Sequence, residues 1–225
     1  MASWLSIIVP VFDEAGCIAA SLDALAPLRA RGHELIVVDG GSSDGTADLS
    51  RARADAVFDA PRGRARQMNA GAAQARGQVL LFLHADTLLP AQPDAAIARA
   101  IDGGALWGRF DVRIAGRSRL FPLIAALMNH RSRWTGIATG DQAMFVERAL
   151  FERIGGFKEL PLMEDIELSR RLRAIGRPAC LRERVLTSGR RWERNGVWRT
   201  VLLMWRLRWR YWLGTAPEVL AKAYR

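Results

Sequence analysis

Lysine is almost missing from this sequence. It occurs twice, at 158 and 222, among 33 basic residues, so arginine carries the formal charge of +10. Arginine's permanent forked charge draws a chain toward phosphate-bearing partners and anionic surfaces, although the same bias also follows from the base composition of coding DNA. Cysteine is equally scarce: Cys17 and Cys180 stand far apart and outside any CxxC spacing. That excludes a disulfide framework and a structural zinc site, and suits a reducing cytosol. Long apolar runs are absent too, since no window reaches the roughly 18 uncharged apolar residues that crossing a bilayer takes. The opening MASWLSIIVPVFDE has no basic flank and its apolar stretch breaks at Pro10, so a signal peptide is not expected. No Ser-His-Asp or Cys-His arrangement offers an enzyme nucleophile.

What the 225 residues do contain is a sizeable core's worth of apolar side chains, 50% of the total, enough for one domain or one domain with an elaboration. Runs of strand length at 5–11, 34–39, 56–60 and 79–86 alternate with segments of helical period, where Ile18, Leu22 and Leu25 fall on one face. This β/α alternation predicts an α/β fold with a mostly parallel central sheet flanked by helices. Further on, strands are expected at 106–114 and 142–146, and helices near 118–131, 147–154 and 164–174. Seams at IDGG (101–104) and TSGRRWERNG (187–196) divide the chain into regions 1–105, 106–188 and 189–225.

Acidic residues gather where such a sheet binds ligands, beyond the carboxyl ends of its strands. Asp13 and Glu14 follow the first strand, Asp39 ends the second, and Asp86 follows VLLFLH. Any one of them can be a helix cap, and Asp44 before GTADL reads as one. Several together repel unless cations or hydrogen-bond donors arrive.

The segments SIIVPVFDE, ELIVVDGGSSDGT, RGRARQMNAGAAQARGQVLLFLHADT and LMEDIELSRRL, in this order over about residues 5–175, resemble the family 2 glycosyltransferases of the GT-A fold. Within that family the chain is similar to a short branch described as associated with radical-SAM and selenium-linked domains. The resemblance implies that Pro10, Val11, Glu14, Asp39, Gly41, Arg66, Asn69 and Ala85 border a nucleotide, and that Arg64 and Arg191 reach its diphosphate. It places HAD (84–86) where the family carries a metal-binding DxD, with histidine in the first position. Asp86 is then the expected ligand for Mg²⁺ or Mn²⁺, while His84 is either a further ligand or a packed strand-end residue. Of the adjacent acids Glu164 and Asp165, the family's catalytic base falls on Asp165. Both also suit a helix N-terminus on dipole grounds. Gly140 and Asp141 are candidates for sugar or acceptor contact; a turn aspartate is the plain alternative.

The implied activity is an inverting, metal-dependent transfer of sugar from a UDP- or GDP-linked donor to an unidentified acceptor hydroxyl. A catalytically weak or inactive membrane-associated scaffold of the same fold is the alternative. A sugar-phosphate nucleotidyltransferase is disfavoured because PVFDEAGCIA lacks the basic, glycine-rich signature it needs. No nucleic-acid module is recognisable. The last region is amphipathic by pattern: Trp198, Val201, Trp205, Trp209 and Trp212 recur at helical spacing, with Arg199, Arg206 and Arg210 displaced from them. Such a helix packs on the catalytic domain, lies in a membrane interface, or forms an oligomer contact. The expected location is the cytoplasm, with peripheral contact on the inner membrane face left open.

Overall fold

A computed structural model describes residues 4–224 of the chain. Two strands, β1 (Leu5–Val11) and β2 (Glu34–Asp39), are buried at every position, as strands covered on both faces must be. They pair in parallel, with β3 (Ala56–Asp59) beside β2 and β4 (Val79–Phe82) beside β1. The register sets Val11 opposite Asp39 and Asp39 opposite Asp59, so the strand ends line up. Side chains alternate between two layers. Leu5, Ile7, Val9 and Val11 enter the core beneath α1 (Ile18–Asp23), whereas Ile8 enters the opposite layer beneath α4 (Arg64–Gln74).

The helical stretch that follows β1 is interrupted. Pro27 lacks the N–H that would continue α1 and instead opens a second short helix, α2 (Ala26–Ala30). After β2 comes α3 (Thr46–Arg51). Helix α4 lies so close to the sheet that a Cβ on Gly71 would stand 2.6 Å from Ile8 Cγ2, which leaves room for glycine alone.

The second half departs from the mostly parallel sheet predicted above. After β5 (Thr87–Leu88) and α5 (Pro93–Asp102) come β6 (Trp107–Ala115), α6 (Phe121–Thr135), a 3₁₀ turn at Gly140–Gln142 and β7 (Met144–Glu147). Strand β7 enters between β4 and β6 antiparallel to both. The chain continues through α7 (Arg148–Arg153), α8 (Glu164–Ile175) and β8 (Ala179–Ser188). Strand β8 runs parallel to β6 and antiparallel to β5. The eight strands form one mixed sheet in the order β3-β2-β1-β4-β7-β6-β8-β5, and only its first half is wholly parallel. Strands before and after residue 105 thus share a single sheet.

Strand β8 was not expected. Its sequence ACLRERVLTS carries Arg182, Glu183 and Arg184, and its register against β6 jumps from Leu181 to Arg184, which bulges two charged residues out of the ladder. The bulge breaks the alternation on which strand recognition depends. Beneath β6, Arg109 is fully buried and its guanidinium is met by Asp111, by Ser132 Oγ at 3.0 Å and by the Asn129 carbonyl at 3.2 Å.

The final region is all helix: α9 (Arg190–Asn195), α10 (Val197–Trp212) and α11 (Pro217–Tyr224). Leu207 of α10 and Leu220 of α11 close over Met163, forming a small third core at the head of α8. Among the described residues no helix is long and apolar enough to cross a membrane.

Candidate active site

At the carboxyl ends of β1 and β2 the acidic residues are satisfied one by one. Asp39 Oδ2 accepts hydrogen bonds from the backbone N–H of Gly41 and Ser42 at 2.9 and 2.8 Å. Ser43 N donates to Asp13 Oδ1 at 2.9 Å, Ala15 N to Asp44 Oδ2 at 2.9 Å, and Glu14 N to Thr46 Oγ1 at 2.8 Å. These bonds stitch the loop after β1 to GGSSDGT after β2. Gly41 and Gly45 hold φ of +87° and +88°, conformations glycine adopts without steric cost. The result is a cradle with a fixed backbone, closed on one side by Arg62, whose guanidinium lies 3.8 Å over the Phe12 ring.

Gln67, which the sequence did not single out, pins the cradle from below. Its buried Nε2 donates to the carbonyls of Val11 and Val38 at 2.7 and 2.9 Å, joining the ends of β1 and β2. Arg66 and Asn69, assigned above to the nucleotide, are engaged elsewhere. Arg66 Nε donates to Glu159 at 2.8 Å, and Asn69 exchanges two hydrogen bonds with the backbone of Phe157 at 2.8 and 2.9 Å. Both anchor the loop after α7. Ala85 is buried in the core, and Pro10 and Val11 lie in the buried strand.

The remaining candidates meet in a cavity of about 170 Å³. Arg64 reaches it from the head of α4, His84 and Asp86 from the turn after β4, Gly140 and Asp141 from the 3₁₀ turn, Glu164 and Asp165 from the head of α8, and Arg191 from α9. Gly140 N donates to Asp165 Oδ2 at 2.9 Å and Ile166 N to Oδ1 at 2.7 Å, so both carboxylate oxygens are held in place. His84 Nδ1 is 3.3 Å from Asp141 Oδ1. The His84 ring lies against Gly140, where a Cβ would come within 2.4 Å of Nε2. His84 is therefore a packed partner of Asp141.

The acids differ in their protonation. Burial is the largest influence on Asp165 and raises its pKa, and the two backbone donors do not cancel it. Burial, with the adjacent Asp165 charge, pushes Glu164 up to about 7. Asp141 goes the other way: burial opposes its ionisation, but His84, Arg64 and Arg191 outweigh it, and its pKa is lowered. Two carboxyls thus share a raised titration beside one that stays ionised. Behind them Arg131, on α6, has Nε and Nη2 buried with no hydrogen-bond partner among the described residues. Burial lowers its pKa against the opposing field of Asp165.

The cap orders the site. Met163, just before Glu164, has φ of +70°, a left-handed conformation that costs a non-glycine residue about 1 kcal/mol or more. Its packing under Leu207 and Leu220 holds that conformation and so fixes where the two acids point. Tyr224 of α11 stacks under Arg191, 3.5 Å from guanidinium carbon to ring centre, and its carbonyl accepts from Nη2 at 2.9 Å. Arg191 Nε, also buried, has no partner among the described residues.

Arg190, another residue the sequence reading passed over, ties the last region to the cradle. Its Nη2 lies 3.4 Å from Glu14 and 3.7 Å from Asp86, supplying the cation that the strand-end acids require. Glu14 Oε2 also accepts from Cys17 Sγ at 3.1 Å, and burial with that carboxylate raises the Cys17 thiol to about 11. Among the described residues no group of three or more His, Cys, Asp or Glu could hold a metal on its own. Asp86, a third exposed and held only by the long Arg190 contact, fits the other arrangement, one carboxylate sharing a cation with substrate phosphates.

A family model described as "Glycosyl transferase family 2" matches residues 6–156, the stretch that builds the cradle and brings Arg64, His84, Asp86, Gly140 and Asp141 to the cavity. The chain belongs to this family. A PGL/p-HBAD biosynthesis glycosyltransferase of Mycobacterium bovis is 37% identical over 95 residues, 39% of this chain and 37% of the relative. Among solved structures, the mannosyltransferase PcManGT from Pyrobaculum calidifontis, in complex with GDP-Man and Mn²⁺, superposes with a TM-score of 0.62 at 23% identity, covering 83% of this chain and 57% of that one. TarS 1-349 from S. aureus in complex with UDP gives 0.67 at 20% identity, covering 82% and 60%. These likenesses show a GT-A-like fold. The chain spans between 37% and 60% of the length of these proteins.

Proposed function

We propose that this family 2 member transfers a sugar from a nucleoside diphosphate to an acceptor hydroxyl, with inversion at the anomeric carbon. One observation carries the reading: Arg64, Asp86, Asp165 and Arg191, from four separate segments, converge on one cavity beside the stitched cradle. The finer placement in the radical-SAM-associated branch rests on motif resemblance alone.

In this reading the nucleotide lies across the cradle formed by Pro10, Val11, Glu14, Asp39 and Gly41. Mn²⁺ and GDP-mannose in the Pyrobaculum enzyme, and UDP in TarS, support a nucleotide donor and a divalent cation here. Asp86 would hold that cation together with the donor's phosphates. When bound, Mg²⁺ or Mn²⁺ supplies positive charge against the leaving diphosphate. Arg64 and Arg191 supply the same stabilisation from the protein. Arg191 has a free buried Nε to offer, and α4 presents its N-terminus alongside Arg64.

Asp165 acts as the base. As the acceptor oxygen bonds to the anomeric carbon, the bond from that carbon to the diphosphate oxygen breaks on the opposite face. The acceptor proton passes to an Asp165 oxygen. A carboxylate with a raised pKa is a better base near neutral pH than an ordinary one, provided its proton has been lost first. Asp141, kept ionised and fixed by His84, is placed to accept hydrogen bonds from sugar or acceptor hydroxyls.

Calorimetry with UDP, GDP, CDP, dTDP and their common sugars, with and without Mn²⁺ or Mg²⁺, tests this on the wild type and on Asp86→Ala. Metal-dependent, base-selective binding lost in the variant is the expected result. Folded protein that ignores every nucleotide sinks the transferase and favours the scaffold reading.

A further inference from the structure

Helix α10 has two faces, and only one is accounted for by the fold. Thr200 and Leu207 are buried, and Met204 and Arg208 join them along the cavity. The opposite face carries Trp198, Leu202, Trp205, Trp209 and Trp212, at steps of four, three, four and three, each between 61% and 75% exposed. Of the three expectations for this helix, packing on the catalytic domain is met by the face opposite the tryptophans, which leaves the tryptophan stripe itself uncovered. Exposed aromatic rows of this extent mark interaction surfaces.

We propose that the outer face of α10 seats this protein on an anionic bilayer surface. Charge decides the occupant. Arg199, Arg206 and Arg210 border the tryptophan row along one edge, and the helix VWRTVLLMWRLRWRYW contains no acid. Tryptophan rings prefer the headgroup boundary of a bilayer, and arginines beside them meet lipid phosphates. A second copy docked through the same face would bring two arginine edges of like sign together. An apolar core partner would leave those arginines unpaired. The helix is 16 residues long and does not qualify as a spanning segment, so it lies along the surface.

The inner face of the same helix lines the cavity, which places that bilayer about one helix diameter, roughly 10 Å, from the site. If the transferase reading holds, an acceptor anchored in the membrane is within reach of Asp165. Vesicle binding itself does not rest on that reading.

The full chain is mixed with vesicles of phosphatidylcholine alone or phosphatidylcholine with phosphatidylglycerol and followed by sedimentation and by quenching of tryptophan emission with brominated lipid. Binding to the anionic vesicles is expected to exceed neutral binding by at least about tenfold, with quenching, since each arginine at the surface contributes about fivefold. Trp198→Ala/Trp205→Ala/Trp209→Ala/Trp212→Ala should lose that binding while keeping its circular dichroism spectrum. Arg199→Glu/Arg206→Glu/Arg210→Glu should lose the lipid preference, whereas Arg153→Glu/Arg177→Glu, on exposed positions elsewhere, should retain it. Absent binding, equal loss in both arginine variants, or a solution dimer that the tryptophan variant converts to monomer without changing vesicle binding each overturns the proposal.

Discussion

Asp165 and Glu164 are adjacent in the chain but have different futures when changed. Asp165→Asn keeps an oxygen for one backbone donor while removing the base, so turnover should fall by about 10²- to 10⁴-fold with donor affinity retained; equal losses in turnover and affinity would point to a binding role instead. Glu164 carries a pKa raised to about 7 by burial and by Asp165. Its native-state proton affinity exceeds that of the unfolded chain, so its contribution to stability is full below the ordinary carboxylate range and disappears as pH rises through about 7. Glu164→Gln should therefore match the wild type in thermal midpoint near pH 5 and exceed it near pH 8. It also removes a negative neighbour from Asp165, so the acidic limb of the pH–rate profile should move to lower pH. The acids themselves were picked out through the family resemblance, since an acidic pair in the first turn of a helix suits the helix dipole equally well. Arg131, Arg190 and Gln67 were not, because the groups that Arg190 and Gln67 bind lie far away in sequence and ordinary helical positions give no sign of what they face. The contacts of Arg66 and Asn69 were hidden for the same reason: Glu159 and Phe157 are about ninety residues distant. Asn69→Ala leaves two buried Phe157 backbone groups unpaired and should cost about 1 to 3 kcal/mol in denaturant unfolding, with nucleotide affinity unchanged.

At the level of elements, what the sequence reveals depends on how much of an element's pattern is written in its own residues. Strands β1 and β2 were predicted to the residue because both faces are buried and, apart from Glu34 and Asp39 at the two ends of β2, every position is apolar or small. Strand β8 was hidden by its charged bulge, and the antiparallel insertion of β7 by the fact that strand order is set by packing of α6 and α7 rather than by any local signal. The cap shows the same limit. The tryptophan spacing revealed a helix in the last region but left its inward face open, since Thr200, Leu203, Met204 and Leu207 look less apolar than the row opposite. Leu207→Ala tests the inward face directly. It should cost about 2 to 5 kcal/mol locally, speed hydrogen exchange across 197–224 and at the head of α8, and leave protection of β1 and β2 unchanged. Uniform loss of protection would mean that the cap and sheet unfold as one unit.

The whole molecule is a positively charged body, +10 overall, in which the acids at the strand ends are already engaged. Asp13, Asp39 and Asp44 are satisfied by backbone and hydroxyl donors and Glu14 lies beside Arg190, while Asp86 keeps only a 3.7 Å approach from the same guanidinium. Arg64, Arg191 and Arg208 face the same cavity as Asp86, Asp141, Glu164 and Asp165, and the chain as a whole carries net positive charge. A donor carrying a diphosphate should therefore be steered inward over distances comparable to the Debye length, about 10 Å at 0.1 M salt and about 3 Å at 1 M. Raising salt across that range should reduce kcat/KM for a nucleotide sugar by roughly tenfold or more through slower capture. The value of kcat should hold, because in the proposed complex the diphosphate is close to Arg64 and Arg191 inside the screening distance. Steady-state kinetics in NaCl, repeated with an uncharged salt-matched osmolyte to separate ionic strength from water activity, checks this. A parallel fall in kcat and kcat/KM would place the salt sensitivity in the bound state, in the contacts of Arg64 and Arg191 with the leaving group.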